Sequence, residues 1–508
     1  MAAVPRGGTV ATTAREANWG LSRCAAIIEY ERVGTAPIKF GTSGWRAVIG
    51  EQFTFSNLRL ATGAVADHVL AHAKHPSLLV GCDPRFDSEA FVAEAAAVLS
   101  ARGVHVLICE GFTPTPAIAC EILRRRVDGA INFTASHNPA EYHGLKFSGA
   151  DGGPALPEAT RDIEARAASA SGRKQTAPDA DGRAARNGVE RIQCREPYLA
   201  RLRELVRFPL LREAKLSIVF DALHGCGAGY LDGVLEEEGV PVTAIRTGRD
   251  VLFDGTGPDV SVANLRPLAE AVRERGASGG LAAGLATDGD ADRFGIVDSD
   301  GSFVSPNHIL ALLYDYLVES RGWRLGVARS VATSHLLDGV ARAYGLPVYE
   351  TPVGFKYVGE YIKQDKIALG GEESAGMSVR GHVPEKDGIL ACLLVAEMTA
   401  VRRAPIREQV RALFRKVGAE YWPIRANLHL TQEVQTRTLE RLRTDPREFA
   451  GRRVARLDRA DGLKLVFEDG AWILMRASGT EPILRVYTEA GSPEASRQLL
   501  AATKKWIG

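Results

Sequence analysis

The sequence lacks an excess of charge of either sign, a paired-cysteine motif, and any apolar run long enough to cross a membrane. Its 508 residues carry 63 Lys and Arg against 62 Asp and Glu, a formal net charge of +1. Proteins that hold nucleic acid or membrane surfaces electrostatically need a basic excess or a clustered basic tract. The balance therefore argues against both kinds of partner. The seven cysteines (Cys24, Cys82, Cys109, Cys120, Cys194, Cys226, Cys392) are odd in number and contain no C-x-x-C pair. Neither a disulfide framework nor a zinc knuckle is indicated, and a reducing, cytoplasmic setting is expected. The longest apolar stretch, Ile389 to Ala396, stops at Glu397, whereas a membrane span needs about 20 residues. Residues 1–36 mix Gly, Ala, Thr and Arg without a continuous apolar segment, which argues against a secretory signal. That segment reads as a poorly ordered tail, or as an over-long start to the reading frame.

What is present is ordinary for a large water-soluble protein: 45% apolar and 25% charged residues. At roughly 150 residues per domain the chain should hold about three or four domains. It is long enough to fold without a metal or disulfide. One pattern recurs three times: an apolar strand, a polar loop, an amphipathic helix, a turn with Gly, and a second short strand. The copies are Leu78–Asp83, the helix around Glu89–Arg102 and Val104–Cys109; Leu216–Asp221, the helix around Tyr230–Glu238 and Val240–Ile245; and Gly326–Thr333, the helix around Leu336–Tyr344 and Leu346–Glu350. Strands alternating with helices at this pitch predict parallel sheets covered on both faces, and three copies predict duplicated α/β/α domains.

Breaks fall in the small, polar, aperiodic residues 166–189, near Asp298–Pro306 before a helix starting about Asn307, and near Lys416–Trp422. The remainder has strand runs at Leu463–Phe467, Trp472–Arg476 and Ile483–Glu489 and a helix from about Pro493. The expected fold class is α/β, with three tandem related α/β/α domains carrying mixed, mostly parallel sheets, and a smaller C-terminal α+β domain. The boundaries read 1–36 for the tail, then 37–188, 189–300, 301–416 and 417–508.

Four clusters carry chemistry. Thr134-Ala135-Ser136-His137-Asn138-Pro139 follows the apolar strand Gly129–Phe133, at the sheet edge where ligands gather in open α/β folds. Ser136 there suits a nucleophile or phosphate carrier, or, more blandly, an ST-turn or helix cap. A catalytic triad is disfavoured, because His137 is the immediate neighbour of Ser136 and adjacent residues rarely aim their side chains at each other. Asp288-Gly289-Asp290-Ala291-Asp292-Arg293 places three carboxylates at i, i+2 and i+4 on a tight loop, where like charges repel unless a hard divalent cation sits among them. An EF-hand is excluded because its sixth and twelfth positions are Arg293 and Ser299. A phosphatase-type nucleophile and a solvated acidic turn are the other readings.

Gly370-Gly371-Glu372-Glu373-Ser374-Ala375-Gly376 is an acceptor-rich loop of the kind sugar hydroxyls need, since a buried unpaired hydroxyl costs about 1–3 kcal/mol. Nearby, Thr351-Pro352-Val353-Gly354-Phe355-Lys356 adds a turn and one cation. Arg476-Ala477-Ser478-Gly479-Thr480-Glu481-Pro482, between two strands, combines amides, hydroxyls and Arg476 in a nest suited to a phosphate dianion, with Arg485 just downstream. A polar turn is the bland reading for each.

Together, in this order, the four clusters resemble the α-D-phosphohexomutase family (phosphoglucomutase and phosphomannomutase), over nearly the whole chain from Phe40-Gly41-Thr42-Ser43-Gly44-Trp45-Arg46 to Glu489. The resemblance implies a phosphate-carrying Ser136 and one Mg2+ held by Asp288, Asp290 and Asp292 with a phosphoserine oxygen. It implies sugar selection by Glu372 and Ser374, with Gly354 and Lys356 nearby, and phosphate binding by Arg476, Ser478, Gly479, Thr480 and Arg485. Lys146 would assist proton transfer, Arg46 and Arg293 would support the phosphate, and His137 joins the expected catalytic group. The implied reaction moves phosphate between the 1- and 6-positions of a hexose through a bisphosphate, with glucose 1,6-bisphosphate as intermediate and activator, and with a mobile fourth domain closing over it.

The Gly-Glu-Glu-Ser loop and the Thr-Pro-Val-Gly-Phe-Lys segment favour glucose. A mannose or dual enzyme, a glucosamine enzyme, a phosphatase and a non-catalytic binding relative are the alternatives. The expected partner is a small sugar phosphate, with no nucleic acid and no membrane, and the expected assembly is a monomer or homodimer.

Overall fold

The computed structural model describes residues 37–41, 44–171, 189–276, 280–477 and 482–507. The expectations for the tail 1–36 and for most of the break at 166–189 fall outside these residues. All the elements named below belong to one unit, Ile38–Gly508.

The strands form four sheets. The first contains β1 (Trp45–Val48), β2 (Ser77–Cys82), β3 (His105–Cys109), β4 (Gly129–Phe133), β5 (Tyr142–Gly149) and β6 (Val189–Ile192), in the order β1-β5-β4-β2-β3-β6. β4, β2, β3 and β6 run parallel, and β5 runs antiparallel to both its neighbours. Every residue of β4 is buried, as a parallel strand covered on both faces requires. The second sheet contains β7 (Leu216–Asp221), β8 (Val242–Ile245), β9 (Leu281–Thr287), β10 (Phe294–Val297) and β11 (Phe303–Val304), ordered β11-β10-β9-β7-β8. The third contains β12 (Gly326–Ser330), β13 (Val348–Thr351), β14 (Ile367–Glu372) and β15 (Gly376–Val379), ordered β13-β12-β14-β15. Each is a mixed sheet with a parallel centre and an antiparallel edge.

The fourth sheet contains β16 (Trp422–His429), β17 (Glu448–Phe449), β18 (Arg452–Asp458), β19 (Leu463–Phe467), β20 (Trp472–Ala477) and β21 (Ile483–Ala490), ordered β16-β21-β20-β19-β18-β17. It is antiparallel throughout and carries the terminal helix Pro493–Ile507. The expected fold class is the observed one: three α/β/α domains with mixed sheets and a C-terminal domain of a different kind.

The structure differs from the sequence reading at the breaks. The helix Pro157–Ala170 runs through residues 166–170, which read as linker. β6 pairs with β3, so the first sheet extends past the expected boundary at 188. β11 pairs with β10, so the second sheet extends past 300.

The apolar run Ile389–Ala396 lies in the helix Gly388–Arg402, which is buried on nearly every side between the second and third sheets. A helix apolar all round belongs inside a core, and here one hydrophobic cluster joins both domains. Its one fully buried acid, Glu397, accepts from the Arg207 amide at 2.6 Å, Tyr316 Oη at 2.7 Å and Arg321 Nη2 at 2.6 Å, so the charge is not left unpaired.

The fourth domain seats on the third through Val331 and Ala332 on one side and Trp472, Leu474 and Tyr487 on the other. Lys464 of β19 is buried in this seat, donating to the Val331 carbonyl at 2.7 Å and to Glu350 Oε2 at 3.2 Å, with its ammonium 4.5 Å from the Trp472 ring centroid. Burial, then the Arg329 charge, push its pKa down to about 8. An unfolded lysine titrates near 10.4, so between these values the unfolded chain binds the extra proton and stability from this group rises with pH. We expect wild-type unfolding free energy to gain on that of Lys464→Met by up to about 3 kcal/mol between pH 8 and pH 10.5. Urea denaturation at both pH values checks this, and parallel behaviour of the two proteins would contradict it.

Candidate active site

Three loops at the carboxyl ends of β4, β9 and β14 converge. The first leaves β4 at Thr134, whose Oγ1 donates to Asp83 Oδ2 at 2.6 Å and accepts from the Ser136 amide at 2.8 Å. Ser136 has φ +53°, in the left-handed region, a conformation that costs a non-glycine residue roughly 1 kcal/mol and collects at functional sites. Ala291 (φ +57°) and Ala375 (φ +70°), in the other two loops, share it. Arg85, fully buried, holds this segment by donating to four of its carbonyls: Ser136 (2.7 Å), Asn138 (2.5 Å), Pro139 (2.7 Å) and Tyr142 at the start of β5 (2.9 Å).

The second loop carries the acids. Asp288, Asp290 and Asp292 are buried, and each places a carboxylate oxygen within 4.8 Å of the others. The Ser136 hydroxyl donates to Asp288 Oδ2 at 2.7 Å. Gly289 makes that approach feasible, since a Cβ there would fall 2.6 Å from the Ser136 carbonyl oxygen. Burial, then the charges of Asp290 and Asp292, raise the Asp288 pKa well above the carboxylate range. Burial also opposes ionisation of Asp292, but Lys146, Lys386 and Arg293 overcome it and hold that group well below its usual value.

Asp290 Oδ1 and Asp292 Oδ1 are buried with no hydrogen-bond partner. Orphaned buried carboxylate oxygens beside a third acid and a hydroxyl are the donor set a hard divalent cation takes. These residues therefore fit a metal. The grouping His224, Asp250 and Asp254 also brings possible ligand atoms together, but it is partly exposed and stands apart from the serine loop's hydrogen bonds.

Lys146, from β5, donates to Asp290 Oδ2 and to Asp292 Oδ2, the latter at 2.8 Å. Burial disfavours its charge, yet the two aspartates raise its pKa, so Nζ keeps its proton. Arg46 donates to Asn138 Oδ1 at 2.6 Å, and burial, then Arg293, lower its pKa to about 10. The Arg293 amide donates to Asp288 Oδ1 at 3.1 Å. His137 is kept neutral by burial and by the Arg293 and Arg46 charges. Its Nδ1 lies 3.4 Å from Ser136 Oγ, so the two adjacent side chains do approach one another, against the sequence expectation. The left-handed turn at Ser136 brings them together, though the shorter bond is the one to Asp288.

The third loop places Glu372 at the end of β14, where its Oε1 accepts from the Gly354 amide at 2.7 Å. This bond joins the two segments expected to hold the sugar. Burial, then Glu373, raise the Glu372 pKa to about 7. Glu373 Oε2 accepts from Ser330 Oγ at 3.1 Å and Thr333 Oγ1 at 3.3 Å. Ser374 and Lys356 are half-buried, and burial lowers the Lys356 pKa.

From the fourth domain, Arg476 donates to Asp461 Oδ1 at 2.6 Å, while Asp461 Oδ2 accepts from the Val353 amide at 3.1 Å. Asp461 thus couples the expected phosphate site to the sugar segment. Arg485 is the cross-strand partner of Arg476. Ser478, Gly479 and Thr480 lie outside the described residues.

Three site residues were not anticipated. Arg85 follows β2, so a search of every parallel strand's carboxyl end would have included it. Lys386 pairs with Asp292 at 2.9 Å and with Glu385 at 2.9 Å; its signal was a Glu-Lys-Asp-Gly string before a helix. Arg425, from β16, adds to the positive field on His137 and Asp259, and no motif marks it.

The site thus joins a serine at the carboxyl edge of a sheet, a buried acidic cluster bonded to it and an acceptor-rich loop tied through Asp461 to Arg476 of the fourth domain. Four domain models of one family match most of the chain, in order. Phosphoglucomutase/phosphomannomutase α/β/α domains I, II and III match residues 37–174, 196–301 and 305–417, and the C-terminal domain matches 433–505. A phosphoglucomutase/phosphomannomutase of Thermococcus kodakarensis is 29% identical over 91% of this chain and 96% of its own. A phosphoglucosamine mutase of Acidothermus cellulolyticus is 33% identical over 90% and 93%. A Thermus thermophilus chain assigned as a phosphomannomutase superposes with a TM-score of 0.80 at 33% identity, covering 93% of this chain and 99% of that one. The chain belongs to the phosphoglucomutase/phosphomannomutase family, and it is a phosphohexomutase, an isomerase of sugar metabolism.

Proposed function

We propose that the enzyme interconverts hexose 1-phosphate and hexose 6-phosphate, with glucose as the preferred sugar, through phosphorylated Ser136 and a bisphosphorylated intermediate. The observation that carries this reading is the 2.7 Å bond between Ser136 Oγ and Asp288, at the meeting point of the serine, acidic and sugar loops.

In the first half-reaction a sugar hydroxyl oxygen bonds to phosphorus as the phosphorus–Oγ bond of Ser136 breaks. In the second, Oγ takes the other phosphate back, so enzyme and proton inventory return to their start. The proton lost by the sugar hydroxyl ends on Ser136 Oγ, which becomes a hydroxyl again as its bond to phosphorus breaks, and Lys146 Nζ, which keeps its own proton beside the cluster, assists that transfer. Arg46 and Arg293 stand where charge builds on the transferring phosphoryl, and fixed cations at such a place stabilise the transition state. Mg2+ is the cation we assign to Asp288, Asp290 and Asp292; when bound it neutralises the charge of phosphoserine, about −1.5 to −2. Glu372 and Ser374 hold sugar hydroxyls, with Gly354 and Lys356 bounding the pocket. Arg476 and Arg485, with Ser478, Gly479 and Thr480, grip the phosphate that is not being transferred. Closure of the fourth domain excludes water from the intermediate.

Glucose 1,6-bisphosphate is the expected activator, because it recharges Ser136 when the intermediate escapes. The enzyme is read as cytoplasmic and as a monomer or homodimer; no helix among the described residues is long and apolar enough to cross a membrane.

A coupled assay on glucose 1-phosphate, mannose 1-phosphate and glucosamine 1-phosphate tests the sugar. We expect glucose to lead in kcat/KM by about tenfold or more, the discrimination one or two hydroxyl contacts supply. Comparable rates on mannose would assign the dual enzyme instead, and release of inorganic phosphate would assign a phosphatase.

A further inference from the structure

A cavity of about 1000 Å3 shares no residue with the active site. It lies where the turn into the helix Pro306–Arg321 meets the helix Ile406–Val417 and the connector 418–423, whose last two residues open β16. Its aromatic wall is a mutually packed trio. His308 meets Phe414 and Trp422 edge-on at 5.5 and 5.7 Å, and those two lie 5.6 Å apart.

The polar lining is strongly one-signed. Arg411 and Arg415, one helical turn apart, are exposed, and neither has a hydrogen bond or ion pair among the described residues. Arg407 is paired with Asp300 at 2.7 Å. The one acid in the lining, Glu420, already accepts from Trp422 Nε1 at 2.9 Å. Ser305, at the N-cap of the helix Pro306–Arg321, makes no side-chain capping hydrogen bond and also lines the cavity.

Two unpaired guanidinium forks suit a phosphate, and an aromatic wall suits a flat ring rather than a hexose. The volume matches the upper range of small-ligand pockets, about 300–1000 Å3. We propose that this cavity binds an organic phosphate bearing a flat aromatic ring, the chemical class of a nucleoside monophosphate, and that the bound molecule ties the connector 418–423 to the third domain.

The test is calorimetric titration of the full-length enzyme with adenosine 5′-monophosphate, with adenosine and inorganic phosphate as separate arms. Arg411→Ala/Arg415→Ala and Arg411→Lys/Arg415→Lys are the variants, and hydrogen exchange is followed over residues 418–423. The nucleotide should saturate one site, bind more tightly than either fragment, and slow exchange in the connector. The alanine variant should weaken binding about tenfold or more, the lysine variant less, and mutase turnover without nucleotide should stay unchanged in both. The proposal is overturned by absence of nucleotide binding, by equal binding in the alanine variant, by inorganic phosphate matching the nucleotide, or by an unchanged connector.

Discussion

Ser136→Ala is expected to lower mutase turnover by about 10⁴-fold or more, some 5.4 kcal/mol of transition-state stabilisation, with the fold retained. The hydroxyl is the only group lost, and nothing else on its loop can take its place: Ser136 Oγ meets Asp288, while Thr134 Oγ1 is spent on Asp83 and on the Ser136 amide. The structural cost is small, because Arg85 holds the loop by its carbonyls rather than by the serine side chain. The loop geometry therefore survives while the acceptor of the phosphoryl group disappears. Intact-protein mass spectrometry after incubation with glucose 1,6-bisphosphate separates this from a general loss of activity. Wild type should gain one phosphate, and Ser136→Ala none. A variant that still takes up phosphate, or that turns over near the wild-type rate, would refute the assignment.

The serine, the three aspartates and Glu372 with Ser374 were legible beforehand because they sit in contiguous strings at or just past the end of a strand. Three aspartates at alternate positions on a tight loop, or a serine between a buried strand and a proline, declare themselves because local spacing already forces their side chains together. Arg85 does not, since it reaches its loop across 51 residues of sequence and its importance lies in four carbonyls that no sequence pattern marks. Lys386 is similar: its partner Asp292 lies in another domain, and only the shared core of the second and third domains sets their distance.

The misplaced breaks have equally concrete causes. The helix Pro157–Ala170 buries only Ile163 and Ala167, too few apolar positions to impose a period on its last turn. β6 exposes Glu190 and Arg191, so a four-residue edge strand read as the start of something new. The apolar run Ile389–Ala396 was weighed against a membrane span; its shortness excluded that, but being apolar all round was itself the mark of a helix between two sheets.

Asp290→Asn carries the second large effect, and its value lies in contrast with Asp292→Asn. Asp292 is held by Lys146, Lys386 and Arg293, so removing its charge strips two buried ammonium groups of a partner and should lower thermal stability as well as activity. Asp290 accepts from Thr115 Oγ1 at 2.5 Å and from Lys146, and an asparagine oxygen can still accept both bonds while Asp292 continues to pair Lys146. What it cannot supply is the second charged oxygen, now orphaned at Oδ1.

Asp290→Asn should therefore keep its fold, raise the Mg2+ concentration for half-maximal activity about tenfold or more, and lower kcat by about 10²-fold, some 2.7 kcal/mol. A readout independent of turnover follows from mass action, because a cation bound only by the native state at 100 times its Kd adds about 2.7 kcal/mol of stability. Wild type should show a Mg2+-dependent rise in Tm, and Asp290→Asn should show little of it at the same concentrations. Identical metal titrations for the two proteins, in both Tm and rate, would remove Asp290 from the cation site and leave the acidic loop as a scaffold for Lys146.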